Sequence, residues 1–445
     1  GATDYKVRYP LIFDRNVTYD DGGANDLNST GGAVRYNELF PAIQLKQMLA
    51  AITSKYGVAF SGTFLGSKTF TNAFLLCQNS QTFSFKTAPS LANMGSPFTS
   101  SANKSTTLVA EDFFNITSET LTISQFNPST TFPNATPSGG VFTFSEHIIT
   151  FNVQNVSTSA VTYYIDVYLN GQLVNTFGGL QEFTNFFQVI APYTITAEIS
   201  VLNYLPNMTV ESFFSGMLKM FNLTCYPIAS DIFQIEPLDD WYAKGAVVDI
   251  TEYTDIESIN VDRVKLYQNV EFKYEESESA TNTIFRDLTN RNYGSISQPF
   301  DYDGGDFKVE LPFENMMMQK FTGTNLQIGE TLNRDGNAYT PKPMILYMYD
   351  QLAANYKFNQ GGGVTTSQTQ YMPFGQDLLD TNINYTLNFN ADISTLLDAV
   401  VPNTLFSIYY SPYLSNLYNL KNRETTVKTN LPISLLTSLE LNDRL

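Results

Sequence analysis

The stretch Leu205–Asp255, LPNMTVESFFSGMLKMFNLTCYPIASDIFQIEPLDDWYAKGAVVDITEYTD, decides how the chain is read. Pro206 and Thr209 announce a helix, with Thr209 as N-cap and Glu211 in the first turn, where the positive helix end favours an anion. Phe213, Phe214, Met217, Leu218 and Phe221 then fall on one broad apolar face. Two strand-like runs follow, Asn222–Tyr226 and Ile232–Glu236, closed by Pro237 and an acidic-aromatic turn, Asp239-Asp240-Trp241-Tyr242. A further strand is expected at Val247–Thr251, after Gly245. Glu236, Asp239 and Asp240 beside Trp241 have the look of an acidic site. The reading adopted is a helix–hairpin unit, with Ile235-Glu236-Pro237 and Trp241-Tyr242 tying the helix to the rest.

The composition around this unit narrows the chemistry. The chain has 445 residues, enough for two or three domains with their own cores. Only 15% of residues are charged, with 27 Tyr and 34 Phe alongside abundant Asn, Ser and Thr, a balance that suits β-rich domains and large assemblies. The net charge is −18, from 43 acidic and 25 basic residues. Specific capture of DNA through its phosphates needs clustered Lys and Arg, so it is not expected. The single His147 leaves no His pair for zinc and reads as an ordinary strand residue. Cys77 and Cys225 sit in apolar runs; free buried thiols and a disulfide between them both fit. No catalytic, cofactor-binding or metal-ligating residue is assigned. No apolar run approaches the length of a transmembrane helix, and the opening residues do not read as a signal peptide.

Upstream, Asp20, Asp21 and Asp26 lie in a Gly/Asn-rich loop without EF-hand spacing, which reads as a solvated loop. A helix is expected from Asn37, with Leu39, Ala42, Ile43, Leu45, Leu49 and Ile52 on one face and Gly57 as its stop. Strands are expected at Val58–Phe60 and Thr69–Cys77, and 86–105 reads as a linker. From 106 to 204 the texture changes to short alternating runs: Leu121–Phe126, Val141–Phe144, Ile148–Val153, Val161–Leu169, Gln172–Phe177 and Tyr193–Leu202. Asn170-Gly171 between two of them signals a hairpin. The expected architecture is an immunoglobulin-like β-sandwich inserted between an N-terminal subdomain (1–105) and a C-terminal one (205–445).

Downstream, a long strand is expected at Val264–Tyr274, then an acidic solvated turn, Glu275–Ser279, and a resumed strand around Asn282–Phe285. Phe307–Leu311, Lys342–Tyr349 and Tyr385–Phe389 read as strands, and Met316-Met317-Met318 as adaptable core or interface packing. Gly361-Gly362-Gly363 lacks the frame of a phosphate loop. Short helices are expected over Ser394–Val400 and Asn403–Arg423, the latter kinked or split by Pro412, with a strand at Thr425–Asn430.

Three patches carry a resemblance. The first is Leu405-Phe406-Ser407-Ile408-Tyr409-Tyr410 with Tyr413-Leu414, Leu417-Tyr418-Asn419, Arg423, Leu431-Pro432 and Leu439-x-Leu441-Asn442-Asp443. The second is Phe221-Asn222, Ile235-Glu236-Pro237, Asp240 with its aromatic pair, and Gly245. The third is Tyr36-Asn37-Glu38-Leu39-x-Pro41-Ala42 and Tyr56–Phe60. Together they resemble tail hub and baseplate proteins of tailed phages infecting Bacteroidetes, crAss-like phages among them, over roughly 30–80 and 205–445. The resemblance implies an α+β, mostly β fold with hub-type β-barrel domains, flanking amphipathic helices and the inserted sandwich. It implies a non-enzymatic structural virion protein, made in the bacterial host cytoplasm. Such a subunit forms a homo-oligomeric ring around the tail axis, contacts tube, fibre and spike proteins, and lets genomic DNA pass without binding it specifically. The alternative from the residues alone is a carbohydrate-binding or adhesive surface protein using the sandwich. A wall-degrading hydrolase is a third reading, since carboxylate pairs such as Asp239/Asp240 and Glu275/Glu276 abound. Adjacency in sequence says nothing about the separation acid/base hydrolysis needs.

Overall fold

The computed structural model describes residues 6–35, 38–81, 204–302, 304–359, 365–379, 384–419 and 421–445 in full, and only strand positions between 105 and 191. Its architecture is α+β and mostly β, built on mixed sheets. The largest sheet runs in the order Val7–Arg8, Ala42–Gln44, Ala73–Leu76, Met344–Met348, Asp306–Glu314, Asn269–Glu275, Ile296–Pro299, with Phe374–Gly375 also on Met344–Met348. Strands from both ends of the chain therefore interleave in one sheet. Pairing is antiparallel except where Asp306–Glu314 meets Met344–Met348 and Asn269–Glu275.

Alternation along the central strands feeds two cores. Leu75, Ile345, Tyr347, Val270, Phe272 and Tyr274 face the larger cluster, while Phe74, Leu76, Met344 and Leu346 face a second one with Ile12, Phe40, Met316 and Met318. A sheet buried on both faces needs covering elements on each side. On the larger core that cover includes the helix Val210–Met220. Thr209 caps it by accepting from the Ser212 amide at 3.0 Å. Phe213, Met217 and Met220 are buried, each worth about 1.5–3 kcal/mol of apolar transfer. Gly216 lets the helix approach closely, since a Cβ there would lie 2.6 Å from the Pro312 ring.

No sheet closes into a barrel among the described residues, which corrects the barrel expectation. The edges of the largest sheet are the two-residue strand Val7–Arg8 and a strand ending at Pro299, too short and too poor in donors to pair with each other.

Several local expectations are also corrected. The helix expected from Asn37 starts at Leu45, because Ala42–Gln44 is drawn into the sheet against Ala73–Leu76; Gly57 ends it in the left-handed region. Lys68–Thr71 is helical before that strand. Val264–Tyr274 is interrupted: Thr254–Arg263 and Asn269–Glu275 are separate strands. Asn282–Phe285 belongs to a helix, Ala280–Thr289, capped by Ser279. Ser394–Val400 is a tight pair of short strands rather than a helix. The split at Pro412 is present, with a π-turn at Phe406–Tyr410 running into the helix Ser411–Leu417.

In the middle of the chain, strands at Glu119–Ser124, Val141–Thr143, Glu146–Gln154, Val161–Leu169 and Gln172–Gln181 coincide with five of the six expected runs. Val161–Leu169 pairs antiparallel with Gln172–Gln181, Leu169 opposite Gln172. Tyr193–Leu202, the Asn170-Gly171 turn and the packing of these strands into a sandwich lie outside the described residues. The two flanks return to one place. The Cys77 amide donates to the Pro41 carbonyl, and the Tyr204 ring meets Phe40 edge-on at 6.1 Å.

Candidate functional site

After Met220 the chain reverses at Asn222, which adopts a positive φ and donates to the Tyr409 carbonyl at 2.7 Å. The hairpin Leu223–Ala229 with Ile232–Pro237 follows, and Ile232–Gln234 pairs in parallel with Ala59–Ser61. Glu236 is only 1% exposed, and its carboxylate is taken up by the Tyr226 hydroxyl and the Lys244 ammonium. Burial, and then the hydrogen bond it donates to Glu236, push Tyr226 up to about 12. Asp239 and Asp240 are exposed in the first turn of a helix, Leu238–Lys244, not in a turn; there their charges suit the helix end. Burial, then the Asp240 charge, raises Asp239. Trp241 packs between Tyr226, at 6.0 Å, and Tyr242, at 4.9 Å. Of the three acidic residues, Glu236 is engaged in holding that corner together, while Asp239 and Asp240 lie exposed on the helix that follows.

The other residues singled out in the sequence have structural partners. Asp26 is buried and accepts from the amides of Asp20, Gly22 and Asn28; burial alone would raise its carboxyl, and these three donors outweigh it and hold it low. Cys77 and Cys225 are both free, and burial pushes the Cys77 thiol to about 12. Met316 and Met318 are core. Glu275 and Glu276 are exposed on the acidic turn, while Ser277 and Ser279 beside them are buried. His147 lies on the strand Glu146–Gln154, and its side chain and Gly361–Gly363 fall outside the described residues. Among the described residues, no group of three or more His, Cys, Asp or Glu is placed to hold a metal. Among them, too, no helix is long and apolar enough to cross a membrane.

The distinctive surface is one the sequence reading did not find. Beyond the helix Leu238–Lys244, the closing residues of the chain dock on Gly245–Val248. Arg444 donates to the Ala246 carbonyl at 2.8 Å, and the Val248 amide donates to the Arg444 carbonyl at 2.9 Å. Val247–Thr251, expected as a strand, is reduced to a bridge between Val247 and Arg444 followed by a 3-10 turn, Thr251–Tyr253. From that base rises a two-stranded ribbon, Thr254–Arg263 against Arg423–Thr429, closed by the Asn430 amide donating to the Tyr253 carbonyl at 2.9 Å. Eight of ten residues in the first strand and six of seven in the second are exposed, so among the described residues neither face of the ribbon rests on a core. Four residues, Ile256–Ile259, bulge from the first strand between the Asp255–Lys428 and Asn260–Thr426 pairs. Ile256 is 78% exposed, Ile259 and Val261 are exposed on the same strand, and Val247 before the ribbon and Ile433 and Leu436 after it are exposed too.

A second feature is a groove of about 430 Å³ lined by Phe300, Tyr302, Tyr418, Gln298, Ser411 and Ser415. Its rings already contact one another, Phe300 lying 4.9 Å from Tyr418 and 6.3 Å from Tyr302. The Tyr418 hydroxyl donates to the Tyr267 carbonyl.

No family model, no curated protein and no solved structure matches this chain.

Proposed function

We propose that the chain is a structural subunit of a tailed-phage virion, a tail hub or baseplate component. In this reading it repeats around the tail axis, anchors fibres or a spike and leaves a path for DNA. The observation that carries the proposal is the ribbon. An isolated two-stranded ribbon is marginal in water, and this one displays Ile256, Ile259 and Val261 with no core beneath either face among the described residues. Such a surface is suited to burial against a neighbouring subunit, where aromatic-rich and weakly charged proteins associate well. The resemblance of the aromatic patches at 405–419 and 221–245 supports a virion tail over other assemblies. An acidic balance of −18 suits a wall past which a duplex slides without capture.

The test is the mass of the purified full chain in solution together with electron-microscopy class averages. Ring-shaped particles of many copies are the expected result, and a monomer at tens of micromolar would overturn the proposal. The carbohydrate-binding reading draws on the aromatic groove at Phe300, Tyr302 and Tyr418; a monomer retained on a glycan array would favour it.

A further inference from the structure

We infer that neighbouring copies join head to tail through this ribbon, the outer edge of Thr254–Arg263 in one copy meeting the outer edge of Arg423–Thr429 in the next. The inference rests on the assembly reading above and specifies its contact. Among the described residues each ribbon strand pairs only with the other, so the outer edges of Thr254–Arg263 and of 424–429 carry no further strand there. Such edges are templates for another strand.

Charge decides which edge meets which. The first strand carries Asp255, Glu257 and Asp262 against Arg263, a balance of three minus and one plus, or −2. The second carries Arg423 and Lys428 against Glu424, or +1, with Lys421 just before it. Pairing two identical edges would set like on like, whereas the unlike edges attract. A contact between two different surfaces is heterologous, and heterologous contacts close into a ring when the rotation permits.

Within one ribbon Asp262 stands opposite Glu424 and Arg263 opposite Arg423, so two successive cross-strand pairs are like-charged, one acidic and one basic. Like charges directly opposite weaken a two-stranded ribbon, which gains from further strands on its edges. The base is fixed by the Asn430–Tyr253 and Val248–Arg444 hydrogen bonds, so the two edges are presented at a set angle.

Two variants of the full chain test this. One carries Glu257→Lys with Asp262→Lys, making both edges basic; the other carries Lys421→Glu with Lys428→Glu, making both acidic. All four side chains are exposed, and unchanged thermal midpoints verify that the fold is kept. Each variant alone should need about 100-fold more protein to assemble, because like-charge juxtaposition across an interface costs several kcal/mol. Mixed in equal amounts, they should assemble again, since every contact between unlike variants is complementary. Either variant assembling alone as the wild type does, or a mixture no better than its components, would overturn the ribbon contact while leaving the assembly reading in place. A wild-type chain that never assembles would instead remove that reading and this contact together.

Discussion

Replacing Gly245 with alanine separates the docked chain end from the rest of the fold. The backbone there is ordinary, φ −59° and ψ 138°, so the glycine is not needed for its conformation. It is needed for space: an added Cβ would lie 1.7 Å from the Asn442 carbonyl oxygen and 2.5 Å from its carbon. No rotamer relieves a backbone clash, so Asn442–Leu445 must lift away. Five hydrogen bonds go with it: Ala246 N to Asp443 Oδ1 and Asn442 Nδ2 to the Trp241 carbonyl, both 2.8 Å, the two backbone bonds between Ala246–Val248 and Arg444, and the Arg444 guanidinium to the Gly245 carbonyl at 3.3 Å. At about 0.5–1 kcal/mol net for each bond, the docked end loses about 2.5–5 kcal/mol. Because every 1.4 kcal/mol is tenfold, amide exchange at Val248 and Arg444 should speed up by about 60- to 4,000-fold. The two main cores do not touch this segment, so amides on Met344–Met348 should keep their wild-type exchange. Val248 protected as in the wild type would refute the reasoning. So would an equal loss of protection in the central sheet, since that would make the docking global.

Two further substitutions probe the corner and the core. Trp241→Ala removes the contacts with Tyr226 and Tyr242; at about 0.5–1.5 kcal/mol for each aromatic pair, unfolding in urea should show a loss of about 1–3 kcal/mol, with a smaller assembled fraction. An unchanged midpoint and unchanged assembly would show that this corner does not hold the ribbon base. Asp377 tests pH linkage: burial raises its carboxyl, and the hydrogen bonds from Ser394 and Thr386 lower it only in part. A raised folded value means stability that is complete below the ordinary carboxylate pKa and lost as pH climbs through the folded one. Asp377→Asn abolishes that titration, so the variant should gain on the wild type as pH rises above the ordinary carboxylate range in urea unfolding; a constant difference would refute the sign.

What could be read from the residues was whatever local chemistry dictates. Thr209, Glu211 and the apolar face of 210–220 gave the helix and its buried side, and Gly57 and Pro412 marked real breaks. Misreadings arose where distant partners overrule local period. Ala42–Gln44 has a helical pattern around it but is claimed by Ala73–Leu76, more than thirty residues away. Ala280–Thr289 carries only a short apolar stripe, Ile284, Phe285 and Leu288, and leaves Ile284 and Leu288 exposed; it is held instead by the Ser279 cap and by Asn282, which donates to the Asn315 carbonyl at 2.6 Å. The ribbon was hidden for another reason. A sequence pattern can announce a strand, but whether either of its faces meets a core depends on the whole fold. The usable signal was the scarcity of apolar residues in RETTVKT, where Val427 stands alone among charges and threonines.

The stretch Leu205–Asp255 thus joins two regimes of stability. Its first half is fixed in the larger core, with Met217, Met220, Phe221 and Ile235 fully buried. Its second half leaves the core at Glu236, passes the Trp241 corner, gathers the chain end at Gly245–Val248 and then enters the ribbon. Beyond Gly245 the described residues up to Arg263 are half-buried or exposed. The hydrogen bonds that set the ribbon's angle are therefore few and local, and a subunit contact made through the ribbon draws its geometry from them. Loss of the docked end should weaken assembly without melting the cores, because it loosens one end of the ribbon while the other, beyond Arg263 and Arg423, stays tied to the larger core through Tyr267, Leu417 and Tyr418.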